Sequence, residues 1–476
     1  MIPLTAAEIA DIVGGALRGV DEPHRLTVTG ADTDSRNIGP GDLFIAKPGD
    51  ATDGHRYIGA ARAAGAPLVL AERATEDDAG QPNPSVIVSD AVEAMGALAA
   101  EIITRIRAHS PTTVIGITGS AGKTTTKDLL AALLSPEGPT IAPQGSYNGE
   151  VGVPLTIFGA DFDTRFLVVE MGADAPGNIA ELCDMVRPDL GAVLMVGSAH
   201  AEKFGGAHRI ADTKGELAQA IPSAGQVVLN RDDPQVAAMQ HRAAAPVTWI
   251  GEGPPDPQAV VARDLQLDAE GHPVFTLCLA GQEHRVTSGL TGAHHITNIL
   301  AAAALALHAG AAPADIAARL QGLGPTSRWR MERTERADGV TVINDAYNAN
   351  PESMREALRT LAILTRDTGR RSVAVLGGML ELGEGSTMAH HQVGETVVRL
   401  NIGLTLVVGD AAYPLYRGAI AEGSWGSEVH WVQTAEEAEA WLATALQPGD
   451  VVLFKSSNGV GLRLLGDQVA ARGGTE

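Results

Sequence analysis

At 476 residues the chain is too long for one hydrophobic core and fits three domains of ordinary size. Its formal net charge of −22 argues against a nucleic-acid backbone as partner, because such binding needs a basic face to displace counterions. Two distant cysteines, Cys183 and Cys278, support neither a disulfide framework nor a zinc site, although an acidic chain can still bind a phosphate ligand in a local basic pocket.

The first residues carry early acids and no basic segment ahead of an apolar stretch, so no signal peptide is expected. The Ala-rich stretch 299–312 is interrupted by His308 and followed by Pro313, so no membrane span is expected and the protein reads as cytoplasmic. Aromatic residues make up 4% of the chain, which predicts cores of aliphatic side chains and closely packed helices. Residues 1–110 read as a small α/β unit, with strands near 43–46, 68–70 and 86–88, and helices near 60–66 and 91–107. A boundary follows at His109-Ser110-Pro111. The polar run Thr33-Asp34-Ser35-Arg36 reads, by itself, as a solvated loop.

A β-branched strand at 113–117 then runs into Gly116-Ile-Thr-Gly-Ser-Ala-Gly-Lys-Thr-Thr-Thr-Lys-Asp128 and a helix-spaced apolar stretch. A glycine turn between strand and helix points backbone N–H groups and a helix N-terminus at one spot, which suits a phosphate chain. Lys123 would reach the terminal phosphates, and the Thr124 hydroxyl would serve a magnesium ion. From there to about residue 325 strand, loop and helix alternate, which predicts a largely parallel sheet with ligands beyond its carboxyl edge. Two strands end in Glu170 and, a few residues on, His200. Magnesium prefers oxygen, so Glu170 is the more natural ligand and His200 the less usual one. Lys214, near the start of a helix, reads on residue type as a solvated surface charge. His294, His295 and Asn298 open the Ala-rich helix, where no third ligand at helical spacing supports zinc. From about residue 326 a second alternating block predicts a doubly wound domain with neither a second Gly-Lys-Thr loop nor a dinucleotide fingerprint, suited to closing on the ATP domain.

The short Gly-x-x-Gly-Lys-Thr-Thr loop resembles that of the Mur ligase and folylpolyglutamate synthase superfamily. Further stretches narrow the resemblance to its MurF-type ligases, over nearly the whole chain. These are Asp34-Ser35-Arg36 with Asp53-Gly54-His55, Tyr147-Asn148-Gly149-Glu150-Val151-Gly152, Asp345-Ala346-Tyr347-Asn348-Ala349-Asn350-Pro351, and Met379-Leu380-Glu381-Leu382-Gly383. The resemblance implies three α/β domains: a UDP-sugar-peptide module at 1–110, a central P-loop ATPase-like domain at 111–325 and a Rossmann-like domain at 326–476. It implies an ATP-dependent ligase that joins D-alanyl-D-alanine to UDP-MurNAc-tripeptide through an acyl phosphate in peptidoglycan precursor synthesis, acting as a monomer.

The same resemblance implies ATP contacts from Gly119, Ser120, Ala121, Gly122, Lys123, Thr124, Thr125, Asn298, Arg330 and Asp345. Substrate contacts would come from Asp34, Ser35, Arg36, Asp53, His55, Asn148, Tyr347, Asn348 and Asn350. Lys123, His200 and Lys214 would be catalytic, and Mg2+ would be held by Thr124, Glu170, His200 and a carbamylated Lys214, that is, N6-carboxylysine. His295, Trp329, Gly378 and Asn458 depart from the family's usual residues. A sister ligase of the superfamily, or an ATPase switch, would share the ATP loop but not the uridine module and the Asp345–Asn350 stretch together.

Overall fold

The computed structural model describes residues 1–49, 52–143, 145–197, 207–366, 368–424 and 427–472, with the backbone alone for 207 and 208. Besides a two-stranded antiparallel pairing of Leu4–Thr5 with Thr27–Val28, three larger sheets follow one another along the chain among the described residues. The first has five strands in the order Ala16–Arg18, Ser85–Ile87, Leu68–Ala71, Asp42–Ala46, Gly30–Asp32, all parallel except the Ala16–Arg18 edge. Leu68–Ala71 is buried on both faces, which explains its uninterrupted apolar sequence.

The helix Ala91–His109 starts where the Asp90 carboxylate accepts the N–H groups of Val92 and Glu93. It joins the first sheet to the second. One apolar cluster runs from Leu4 and Ile45 through Leu98 and Ile102 of this helix to Leu167 and Ile179. Gly96 lets the helix approach Met185, since a Cβ there would stand 3.2 Å from the Met185 Cε.

The central sheet has nine strands. Seven of them, in the spatial order Ala259–Leu267, Val247–Glu252, Gln226–Asn230, Leu190–Val193, Thr113–Thr118, Phe166–Glu170, Thr140–Ile141, are mutually parallel. Pro273–Leu279 and Gln282–Thr287 extend the sheet as an antiparallel hairpin beyond Ala259–Leu267, a departure from the expected repetition of strand, loop and helix. The turn chemistry accounts for it. Ala280 and Gly281, the two loop residues, have φ of 50° and 75°, the two-residue turn whose twist matches a hairpin. The helix Ile296–His308 buries Ala301 to Ala306 in the cluster that holds Leu129 and Leu130 of the phosphate-loop helix Lys123–Leu134.

The third sheet runs Glu332–Glu335, Thr341–Asn344, Val451–Lys455, Ser372–Leu376, Leu404–Val408, Val429–Val432, parallel except for its first strand. Its strands alternate between two cores: Ala374 and Leu376 enter one cluster with Met354 and Leu358, while Val373 and Val375 enter another with Leu462 and Leu465. Helices therefore cover both faces, as expected for a doubly wound domain. Among the described residues no helix is long and apolar enough to cross a membrane.

Candidate active site

Thr113–Thr118 lies between Phe166–Glu170 and Leu190–Val193, so the glycine turn emerges at the carboxyl edge of the parallel sheet. Gly122 carries φ of 84° at the N-cap of helix Lys123–Leu134. A Cβ there would stand 2.2 Å from Asn298 Oδ1 and 3.3 Å from Leu194 Cδ1, so glycine is required by both conformation and space. The Lys123 Nζ folds back and donates to the Gly119 carbonyl at 2.8 Å. Ser120 fixes the turn against the neighbouring strand end, its N–H donating to Met195 O at 3.0 Å and its Oγ accepting from Gly197 N at 2.9 Å.

The Glu170 side chain is fully buried, and among the described residues neither of its carboxylate oxygens has a hydrogen-bond partner. Burial raises its pKa, while Lys123, Lys127 and Arg330 pull it down. Such an orphaned carboxylate beside the Thr124 hydroxyl is the donor chemistry a hard cation needs. Lys214, on helix Ala207–Ala220, is 6% exposed, which overturns its reading as a surface charge. Burial first, and then the Lys123 charge, lower its pKa to about 7. His200 lies outside the described residues. Among the described residues no cluster of three or more His, Cys, Asp or Glu side chains forms a ready-made metal centre.

The C-terminal domain closes the other side. The Arg330 guanidinium donates to Thr124 Oγ1 and Ser146 Oγ, both at 3.2 Å, and lies 4.4 Å over the Tyr347 ring. Asp345 Oδ1 accepts from Met331 N at 3.1 Å, and its Oδ2 pairs with Lys455. Asn350 Nδ2 reaches the Ser120 carbonyl at 3.5 Å. Between the domains lies a cavity of about 600 Å³ lined by Thr125, Asn298, Arg330, Asp345 and Asn348 among others. Lys123 also borders a second cavity of about 230 Å³, with Lys214, Asn350 and Glu381 on its walls. Ala121 and Tyr347 line the first cavity.

A third cavity, of about 420 Å³, lies between Asp32, Asp34 and Asn37 of the first domain and the stretch 146–152 of the second. Asn148 lines all three cavities and so marks their junction. Arg36 pairs with Asp34 on its own exposed loop, and Ser35 lies between them; neither lines this cavity. Asp53 and His55 are not in it either. The Asp53 carboxylate binds Arg73 and the His55 ring at Nδ1, while His55 Nε2 accepts the Glu72 N–H at 3.0 Å. Both ring nitrogens of His55 are thus engaged in holding the first domain together.

Lys455, 2% exposed at the end of its strand, was not among the expected site residues. A lysine closing the apolar run Val451–Phe454 was the available signal. Ser146 was missed as well, and nothing but its place two residues before Asn148 pointed to it. His295 stands beside Asn298 in the cavity wall, its Nδ1 3.2 Å from Asn298 Nδ2, and burial keeps its ring neutral.

Family models match the chain in three segments: "Mur ligase family, catalytic domain" at 27–103, "Mur ligase middle domain" at 117–306 and "Mur ligase, glutamate ligase domain" at 329–458. A Mycobacterium tuberculosis protein named UDP-N-acetylmuramoyl-tripeptide--D-alanyl-D-alanine ligase is 43% identical, over 99% of this chain and 98% of its own. Its Escherichia coli namesake is 33% identical over 96% of each. Among solved structures, MurF from Acinetobacter baumannii superposes with a TM-score of 0.84 at 28% identity, covering 98% of this chain and 99% of that one. MurF from Thermotoga maritima in complex with ADP gives 0.74 at 28% identity, covering 94% and 99%. With relatives of this similarity along its whole length, and with the phosphate loop, buried carboxylate and closing arginine at one sheet edge, the chain belongs to the Mur ligase family, as a MurF-type member.

Proposed function

We propose that the protein is an ATP-dependent amide ligase that joins D-alanyl-D-alanine to UDP-MurNAc-tripeptide, giving UDP-MurNAc-pentapeptide, ADP and phosphate. The observation that carries the chemistry is the buried, unpartnered Glu170 carboxylate beside Lys123 and Thr124, and the relatives' names supply the substrates. The third cavity is the place we assign to the uridine nucleotide, the 600 Å³ cavity to ATP and the smaller one to the reacting ends. A carboxylate resists amine attack because its leaving group would be oxide. Its oxygen therefore attacks the γ-phosphorus of ATP, ADP leaves, and the amine then displaces phosphate from the acyl phosphate through a tetrahedral carbon, losing a proton.

In this reading Lys123 leaves the Gly119 carbonyl to stabilise charge on the transferring phosphoryl group, where positioning and electrostatics supply most of the catalysis. Arg330, delivered by the C-terminal domain, adds a second cation from the opposite side. Asp345 and Asn298 orient the nucleoside, and Asn148, Asn348 and Asn350 hold the tripeptide end and the incoming dipeptide. Thr124 and Glu170 would hold one magnesium ion, and His200 with carbamylated Lys214 a second, supplying neutralisation of phosphate charge. Lys214 is suited to that modification because, with a pKa of about 7, much of it is free amine at neutral pH. As the free amine its nitrogen can bond the carbon of CO2 and release one proton, leaving an anionic carbamate in place of a side chain that is a cation when protonated. Asp34, Ser35 and Arg36 serve the uridine nucleotide at the rim, and Asp53 and His55, tied to Arg73 and Glu72, hold the first domain in the shape that serves it. The reaction belongs in the cytoplasm, where ATP is available, and a monomer suffices because every residue invoked comes from one chain.

The test of the chemistry is isotopic. With oxygen-18 in the acceptor carboxylate of the tripeptide, one labelled oxygen should appear in the released phosphate. Unlabelled phosphate at full turnover would rule out the acyl phosphate.

A further inference from the structure

The linker between the second and third domains changes allegiance within one peptide bond. Ser327 N donates to Asp128 Oδ2, on the phosphate-loop helix, at 3.0 Å. The next residues belong to the C-terminal domain: Arg328 pairs with Asp467 at 2.8 Å, and the Trp329 indole N–H donates to the same carboxylate at 3.1 and 3.0 Å. Asp467 sits on the helix Leu462–Ala471 and is itself tied to the sheet through Asn344 Nδ2 at 3.0 Å.

Trp329 and Met331 both have left-handed backbones, with φ of 59° and 53°, so the chain turns sharply on each side of Arg330. L-residues adopt that conformation only when their surroundings enforce it. Here the enforcement is visible. The guanidinium groups of Arg328 and Arg463 lie 4.8 and 5.3 Å from the Trp329 ring, and Trp329 N donates to Glu332 at 2.9 Å. The indole is nearly parallel to the Tyr347 ring, at 18° and 6.4 Å between centroids, and Arg330 lies over that ring. A ladder of cations and aromatic rings therefore runs from Arg328 and Arg463 through Trp329 and Tyr347 to Arg330, whose tip crosses to Thr124 and Ser146.

We propose that Trp329 and Asp467, which line no part of the ATP cavity, are positioning residues: they lock the linker onto the C-terminal domain and thereby aim Arg330 at the phosphate loop. This rests on the reading of Arg330 as an ATP contact. The pivot of the two domains lies at the Ser327–Arg328 peptide, and Arg330 moves as a rigid part of the third domain. Glycine at 329 would tolerate the backbone angle but would surrender the indole and with it the lock.

The test is a double-mutant cycle between W329G and R330K in the full-length enzyme, measuring KM for ATP, KM for the UDP substrate and kcat. W329G and R330K should each raise the KM for ATP about ten-fold, with that for the UDP substrate nearly unchanged. The double variant should be no worse than R330K alone, because Trp329 acts through Arg330. W329F, which keeps a ring but loses the N–H, and D467A should fall between W329G and the parent. Circular dichroism and melting curves accompany each variant, and W329F takes the place of W329G in the cycle if W329G fails to fold. Additive effects of W329G and R330K, or an unchanged KM for ATP in folded W329G and D467A, would overturn the positioning role. If R330K itself leaves the KM for ATP unchanged, the assignment of Arg330 to ATP falls, and the proposal with it.

Discussion

Replacing Gly122 by alanine isolates the geometric demand of the phosphate loop. The left-handed backbone at φ of 84° costs an L-residue about 1–2 kcal/mol. The new methyl would stand 2.2 Å from Asn298 Oδ1 and 3.3 Å from Leu194 Cδ1, and forcing a methyl into a packed site costs about 1–3 kcal/mol more. The sum, about 2–5 kcal/mol, is felt either in folding, if the loop keeps its shape, or in ATP binding, if the loop gives way. In the second case the affinity for ATP falls about thirty-fold or more, at 1.4 kcal/mol per factor of ten. Thermal melts with and without magnesium-ATP, together with calorimetric titration of ATP, read both. Gly14→Ala supplies the control, since that glycine has φ of 63° with open space around it, so it should lose only the conformational share and leave ATP binding intact. Adding Asn298→Ala to Gly122→Ala should restore part of the lost stability by removing the clash. Parental melting and parental ATP affinity in Gly122→Ala would refute the argument that this position needs glycine.

Three other perturbations address the site. Burial raises the Glu170 pKa above that of the unfolded chain, so the folded state holds the extra proton between the two values and stability falls as pH rises through that window. Glu170→Gln should therefore melt above the parent at neutral pH without nucleotide, yet gain less from magnesium-ATP; a larger gain than the parent's would contradict the metal reading. Lys214→Ala should be nearly inactive and partly rescued by a short carboxylic acid in kinetic assays, and intact-protein mass spectrometry of the parent in bicarbonate should show one added CO2. Full activity without the acid would leave the lysine a purely packing role. Arg36→Ala should raise the KM for the UDP substrate far more than that for ATP, and equal effects would detach the Asp34–Arg36 loop from the nucleotide.

Much of the fold was legible because periodicity and punctuation agree with it. The run Val-Ile-Gly-Ile-Thr before the glycine turn is a buried parallel strand, and the Ala-rich stretch after His295 is a buried helix whose small side chains admit close packing. The antiparallel hairpin at 273–287 was not foreseen, because its turn is Ala280-Gly281 rather than the more telling Asn-Gly or Asp-Gly. Within the site, the phosphate loop could be read because its residues are contiguous. Lys214 could not, because burial is a property of the assembled fold: a lysine on a helix carries no local sign that its amine will be desolvated beside Lys123. Lys455 was hidden for a related reason, since its partner Asp345 lies 110 residues away and meets it only when Thr341–Asn344 and Val451–Lys455 become neighbours. Asp53 and His55 show the converse. Their motif was readable, but the structure ties both side chains to the first domain, next to Arg73 and Glu72.

The central claim, that one site couples ATP cleavage to amide formation between these two substrates, is tested most directly by phosphate release. The measurement uses magnesium-ATP and UDP-MurNAc-tripeptide, with and without D-alanyl-D-alanine, followed by mass spectrometry of the nucleotide product. The account predicts sustained release only when both substrates are present, with one UDP-MurNAc-pentapeptide formed per phosphate. Release that ignores the dipeptide, or that is driven by a single amino acid, would contradict it.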